Sequence, residues 1–131
     1  MALTIQQERA KYALERVQDL ANKLNANKLN ADEQKEFISY ASGLPAMIHM
    51  NGLGQAMAFC KLKAKDRESY NKLYLLVSDW LCQSGQPYHG KNNVLEGITQ
   101  RDRAQYQLAQ SEALVLMSWV KKFAKAFLAE D

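Results

Sequence analysis

Apolar side chains recur three, four or seven residues apart over most of the chain, the spacing that places them on one face of an α-helix. In the first such stretch, Thr4 and Gln7 stand at the spacing of a capping box. No stretch shows the alternation of a half-buried β-strand. We therefore predict an all-α fold whose first helix covers residues 3 to 24. Its apolar face comprises Leu3, Ala10, Leu14, Val17, Ala21 and Leu24.

The opposite face of this first helix carries a polar stripe. A solvated surface accounts for such a stripe, and so does a surface that follows phosphate groups. The residues alone leave these two interpretations open. The stripe comprises Arg9, Tyr12, Arg16, Asp19 and Lys23.

A verbatim repeat of five residues, Asn-Lys-Leu-Asn-Ala at 22–26 and again at 27–31, follows the first helix. A period of five fits neither a helix nor a strand, so we interpret the repeat as a lengthened loop. A second helix begins at Asn30 or Asp32, because Asn30 and Glu33 have capping-box spacing.

The middle of the chain combines a proline with several glycines. Pro45 disfavours a helical conformation at the residue before it, so we expect a kink or a short break near Gly43 and Pro45. Asn51, Gly52 and Gly54 then form a turn, since glycine adopts positive φ easily. Its backbone N–H groups could meet a phosphate or a partner's carboxylate, or the segment is a plain interhelical turn. The second helix keeps its register through Phe37, Ala41, Leu44 and Ile48 before the turn. After the turn a third helix is described by Leu53, Ala56, Met57, Cys60 and Ala64.

A fourth helix is predicted from the apolar spacing between Tyr70 and Leu81, with Asp66 as the cap before it. Residues 84–93 are rich in turn formers, and we expect them to be an exposed loop.

The carboxyl-terminal part of the chain begins with a short helical turn over 94–98, and the spacing of Thr99 to Asp102 suggests a further cap. The last helix, over residues 101 to 129, carries the clearest heptad and is apolar on its flanks as well. Such a helix is either the centre of its own bundle or partly an interface with another subunit. Its heptad positions are Tyr106, Ala109, Ala113, Leu116, Val120, Phe123 and Phe127, and its polar strip comprises Gln107, Ser111, Ser118, Lys122 and Lys125.

The composition fits one compact domain. The chain has 131 residues without a long linker, and 47% of them are hydrophobic. We expect a single bundle of five to six helices over residues 1–131, with a long, largely buried C-terminal helix. The longest apolar run, 113–117, is too short to span a membrane, and a secretory signal is missing, so we expect a cytoplasmic protein. Cys60 and Cys82 lack metal or redox spacing and are interpreted as reduced core thiols.

The net charge of +3 is too small to establish nucleic-acid binding, but its distribution is uneven. Five cations and two anions lie between Leu53 and Leu75. Cations at a helix end offset the helix dipole, which is the simpler explanation for two of them. The remaining cations favour binding to a phosphate backbone. The five cations are Lys61, Lys63, Lys65, Arg67 and Lys72.

Catalytic ingredients are sparse. His49 lies in an apolar stretch, which is typical of a semi-buried structural histidine, and His89 lies in the predicted exposed loop. Neither has a metal-ligand partner at the usual spacing. Gly52 and Gly54 lack the preceding strand and the third glycine of a dinucleotide site. We therefore predict no enzyme activity, no metal and no cofactor.

Three stretches carry a resemblance to a known family. The first runs through 44–63 as Leu-Pro-Ala-Met-Ile, Asn-Gly-Leu-Gly-Gln-Ala and Ala-Phe-Cys-Lys-Leu-Lys. The second is Arg9 to Ala13, and the third combines Tyr106 to Ala109, Glu112 to Leu116, Trp119 and Lys121 to Ala124. The sequence resembles the small helical subunit of type III-B CRISPR RNA-guided effector complexes, the Cmr module. The small subunit of type III-A complexes is the related alternative, but the glycine motif with Ala-Phe-x-Lys-x-Lys favours III-B.

The resemblance implies a non-catalytic subunit that stacks in several copies along CRISPR RNA, beside other subunits, and helps to hold the target RNA in antiviral defence. It implies no small-molecule substrate. The alternative from the residues alone is a helical adaptor that binds only proteins. The RNA-facing residues implied by the resemblance are Arg9, Lys61, Lys63, Lys121 and Lys122, to which we add Lys65, Arg67 and Lys125 on electrostatic grounds.

Overall fold

The structure is a computed structural model that describes residues 2–22 and 24–129, and within these ranges it contains five helices and no strand. This confirms the all-α prediction and the long carboxyl-terminal helix. The helices are α1 (Ile5–Ala21), α2 (Ala31–Lys63), α3 (Glu68–Cys82), α4 (Val94–Gln100) and α5 (Arg103–Phe127).

Side-chain caps fix most of the helix starts. The capping boxes predicted at Thr4 and at Asn30 are both present. The cap predicted at Asp66 is wrong, because the residue before α3 is Arg67, which makes no side-chain cap hydrogen bond. The predicted pairing of Thr99 with Asp102 is also wrong. Asp102 itself caps α5 by accepting from the Gln105 amide, while the Thr99 hydroxyl donates back to a carbonyl within α4.

Helix α2 breaks at Gly52 and not near Gly43 and Pro45, so the predicted kink is misplaced. Gly52 has φ 87° and ψ 159°, and the helix continues through Pro45. A proline within a helix removes one hydrogen bond, whereas a residue at positive φ changes the direction of the chain.

The second segment of α2, residues 53–63, folds back beside the first segment, residues 31–51. The ring contacts of Tyr70 in α3 show that the two segments lie side by side. Its ring centre lies 3.7 Å from that of Tyr40 in the first segment and 5.7 Å from that of Phe59 in the second. The turn at Gly52 thus makes a helical hairpin that packs on α3.

One hydrophobic cluster joins residues of all five helices. Helix α5 contributes six buried residues, among them the heptad positions Ala109, Ala113, Leu116 and Val120. The ends of the heptad are less covered, and Phe127 is 48% exposed. In α1 the buried residues are Ala13, Val17 and Leu20, while Leu3 and Leu24 of the predicted apolar face are exposed.

The loop between α3 and α4, predicted to be exposed, is partly buried. Tyr88 is fully buried, and its amide donates to the Leu81 carbonyl. A Cβ atom at Gly97 would lie 2.3 Å from the Tyr88 ring, so this glycine lets α4 sit directly on the tyrosine. Arg101 closes the loop by donating to the carbonyls of Pro87 and His89.

The described residues of the repeated segment before Ala31, 22 and 24–30, lie in the loop between α1 and α2, as predicted. Its two leucines differ, because Leu24 is 96% exposed and Leu29 is buried, with its amide bonded to the Leu20 carbonyl. Lys23, the last residue of the predicted polar stripe, lies outside the described residues.

Candidate nucleic-acid interface

Three predicted RNA-binding lysines lie around the carboxyl end of α2 and are exposed: Lys61 and Lys63 belong to its last turn, and Lys65 follows two residues after the helix ends. The ammonium of Lys61 lies 5.1 Å from the centre of the Tyr74 ring, and that of Lys63 lies 5.6 Å from the centre of the Phe59 ring. Within the described part of the chain, no carboxylate forms an ion pair with any of the three. We call these residues the helix-end cluster.

The neighbouring cations Arg67 and Lys72 are engaged within the chain. Arg67 Nη1 lies 2.7 Å from an oxygen of Glu36, whose other oxygen accepts from the Ser69 hydroxyl. Lys72 Nζ lies 3.6 Å from Glu68. These two charges are therefore partly compensated, and the helix-end cluster holds the uncompensated charge.

A second group of predicted lysines lines a groove between the first segment of α2 and α5. Its volume is about 470 Å³. Apolar contact is provided by Pro45 and Leu114, and the basic side chains are Lys121, Lys122, Lys125 and His49. Ser118 completes the lining. No carboxylate lines this groove in the described ranges. We call it the α2–α5 groove.

His49 was predicted to be semi-buried, and this is wrong because its side chain is exposed. The neighbouring Ile48 is fully buried. Since α2 continues through Pro45, successive residues are about 100° apart around the helix, and residue 49 points away from the core. His89 is exposed as predicted.

The turn at Gly52 is closed from within the chain. The amide of Leu53 donates to Gln110 Oε1 and the amide of Gly54 donates to the Tyr106 hydroxyl, each over 2.9 Å. These two amides are already hydrogen-bonded within the chain and are not available to a phosphate. For them the structure favours the plain interhelical turn. Asn51 is exposed and stays a predicted interface residue.

Arg9, the remaining predicted RNA-facing residue, forms a two-pronged ion pair. Its Nε and Nη2 atoms donate to the two oxygens of Glu112 over 2.6 and 2.8 Å, and both side chains are less than one fifth exposed. Trp80 Nε1 donates to the same carboxylate over 3.0 Å. This geometry favours a structural role for Arg9, and its contact with RNA stays a prediction from the resemblance.

The environment shifts the pKa values of both partners. Burial alone would raise the pKa of the Glu112 carboxyl, but the hydrogen bonds from Arg9 and Trp80 outweigh it and hold that pKa below its usual range. The hydrogen bond to Glu112 raises the pKa of Arg9.

Other residues of the polar stripe on α1 also contact α3. The Tyr12 hydroxyl donates to the Leu76 carbonyl, and Arg16 forms an ion pair with Asp79.

Sequence reasoning missed this polar network. A signal was present, because Arg9 and Glu112 fall in two stretches that carry the family resemblance. Periodicity could not reveal it, since a pair 103 residues apart in sequence has no shared pattern.

The described residues contain neither a cluster of metal ligands nor an activated thiol. Across residues 2–22 and 24–129, no group of three or more His, Cys, Asp or Glu side chains could hold a metal ion. Cys60 and Cys82 are free thiols, and burial raises the pKa of Cys60 to about 12, which disfavours the reactive thiolate. No helix in the described ranges is long and apolar enough to cross a membrane.

Comparison with known proteins relates the chain to CRISPR-associated proteins. The model of the CRISPR-associated protein family Cas_Cmr5 matches residues 5–127. The X-ray crystal structure of a CRISPR-associated Cmr5 family protein from Thermus thermophilus is similar to this fold, with a TM-score of 0.70 and 24% sequence identity. The match covers 96% of this chain and 99% of that chain, and at this identity it shows a shared fold.

Proposed function

This chain belongs to the Cas_Cmr5 family, the small subunit of type III-B CRISPR effector complexes, and from that premise we propose that it holds RNA by its phosphate backbone. In this proposal it is a non-catalytic cytoplasmic subunit. Several copies stack along the guide and target RNA during antiviral defence, beside the other subunits of the complex.

The helix-end cluster is the observation that carries the proposal. Its three ammonium groups are exposed and form no ion pair with a described carboxylate, so their charge is available to an external anion. Lysine is a flexible point charge that suits phosphate oxygens better than the edges of bases. Such contacts bind RNA without regard to sequence, which is what a subunit repeated along any guide requires.

The α2–α5 groove adds a second basic surface with Lys121, Lys122 and Lys125. Arg67 extends the helix-end cluster, although its pairing with Glu36 reduces the charge it offers. Two such surfaces on each copy, multiplied by several copies, would convert weak individual contacts into strong retention of RNA.

The proposal is tested by RNA retention in the assembled effector complex. The triple variant Lys61→Glu, Lys63→Glu and Lys65→Glu should assemble normally but release labelled target RNA at lower salt than the parent complex, because fewer phosphates are neutralised. A matched control carries Lys11→Glu, Lys28→Glu and Arg103→Glu, three exposed cations outside both basic surfaces.

Two results would contradict the proposal. The first is equal salt dependence of RNA release from the parent complex and from the helix-end variant, which would show that the cluster does not bind RNA. The second result is that complexes with the parent subunit, with any variant, or without the subunit all retain RNA equally well, although the subunit assembles. The chain is then an adaptor that binds only proteins.

A further inference from the structure

The α2–α5 groove differs from a purely basic surface because two of its lining side chains, Pro45 and Leu114, are apolar. We propose that this groove holds an unpaired nucleotide of single-stranded RNA, with the phosphates on the lysines and the base against Pro45 and Leu114. The inference rests on the proposed function and adds to it the form of RNA that this site takes.

Charge specifies an anion as the occupant. Three lysines and His49 line the groove, and no carboxylate among the described residues opposes them. Lys122 and Lys125 are exposed and Lys121 is half-buried, so their ammonium groups can reach a ligand without disturbing the core. Ser118 donates its hydroxyl proton to the Val115 carbonyl, which leaves its oxygen as an acceptor for a base or ribose.

The apolar lining distinguishes an unpaired strand from a duplex. In a duplex the base faces are stacked inside, and the outer surface offers phosphates and sugars, which would leave Pro45 and Leu114 uncovered. An unpaired base has a free face that can cover them. The exposed imidazole of His49 at the same groove supplies an aromatic plane of the kind on which splayed bases stack.

The size of the groove is consistent with such a ligand. Its volume of about 470 Å³ falls within the range of sites that take a small organic molecule, about 300–1,000 Å³. An acidic protein segment with apolar side chains has partly similar chemistry, and it is the competing occupant in the experiment below.

Nuclear magnetic resonance of the full chain tests the assignment even when binding is weak. The amide spectrum is recorded with a single-stranded oligouridylate, a blunt RNA duplex of the same length, inorganic phosphate and an acidic peptide of equal charge. We expect the oligouridylate to shift amides of residues 45–49 and 114–125 more than the other three. The variant His49→Ala should weaken this binding about fivefold, the lower range of one base-stacking contact.

The charge variant Lys121→Glu, Lys122→Glu and Lys125→Glu should abolish these shifts, and the control with changes at Lys11, Lys28 and Arg103 should keep them. Oligouridylate shifts confined to residues 61–65 would overturn the groove assignment while leaving RNA binding intact. Larger groove shifts with the acidic peptide would overturn it in favour of a protein partner. Equal shifts with phosphate or duplex would remove the base from the site, and no shift with any RNA would contradict the proposed function as well.

Discussion

Arg9 holds Glu112 through two hydrogen bonds of 2.6 and 2.8 Å, and this pair joins α1 to α5 at a point where Trp80 of α3 also donates to the carboxylate. Three helices therefore share one anion. Both side chains are shielded from water, so removing either partner leaves a charge without compensation.

We predict that Glu112→Gln lowers the free energy of unfolding by about 2 kcal/mol, because the Arg9 charge stays shielded and Trp80 loses a charged acceptor. A double-mutant cycle with Arg9→Met, measured by urea unfolding, should give a coupling of about 1–2 kcal/mol. The exposed pair Arg16 and Asp79 is the control and should couple by less than about 1 kcal/mol. Equal couplings for the two pairs would show that burial does not strengthen the Arg9 contact.

The same pair predicts how stability depends on pH. The pKa of Glu112 is lower in the folded chain than in the unfolded chain, where it is about 4.3. Its contribution is therefore complete above that value and is lost as the pH falls through the folded pKa. Unfolding free energies of the parent and of Glu112→Gln should converge as the pH falls below the unfolded value and through the lower folded pKa. A difference that stays constant down to pH 2 would mean that the carboxyl does not titrate in this way.

Gly52 should tolerate substitution poorly. Gly52→Ala places a side chain at φ 87° with its Cβ 3.0 Å from the Tyr106 hydroxyl, and we expect a loss of about 1–2 kcal/mol in thermal or urea unfolding. The matched control is Gly43→Ala, at a helical position where the new Cβ would meet nothing within 4 Å apart from its chain neighbours and the backbone of its own helix. This control should stabilise the chain by about 0.5–1 kcal/mol. The prediction fails if the two alanine variants have the same stability.

The central position of α5 can be tested with Leu116, which is fully buried. Leu116→Ala should cost about 3 kcal/mol, from lost transfer energy and the cavity left behind. Phe127→Ala, at the exposed end of the same helix, should cost about 1 kcal/mol or less. Urea unfolding separates these values, and a Leu116→Ala variant as stable as the parent would contradict a packed core around α5.

Sequence patterns predicted helix starts and buried positions well where a helix packs a single apolar face against the hydrophobic core. The start of α2 follows from Asn30 and Glu33, and the buried centre of α5 follows from its heptad. The position of the break in α2 was not predictable in the same way, because Gly43, Pro45 and Gly52 are all plausible breakers. Tyr106 and Gln110, far away in sequence, supply the hydrogen bonds that fix the turn at Gly52.

The candidate site was predictable only in its residue types. The positions of the lysines along the sequence indicated which of them cluster. They could not show that Arg67 pairs with Glu36 or that Arg9 pairs with Glu112, since these partners come from other helices. The loop at Tyr88 was misjudged for a related reason. Turn-forming residues indicate a loop, and whether it is buried depends on what packs over it, here Gly97.

The aromatic rings beneath Lys61 and Lys63 have a consequence for how these side chains meet an anion. A lysine whose ammonium rests over a ring samples fewer rotamers before binding, so it loses less conformational freedom when a phosphate arrives. Lys65 has no such support among the described aromatic contacts. The preferred positions of the first two ammonium groups therefore depend on Tyr74 and Phe59, so under the proposed function a change to either ring would weaken binding of phosphate without removing a charged residue.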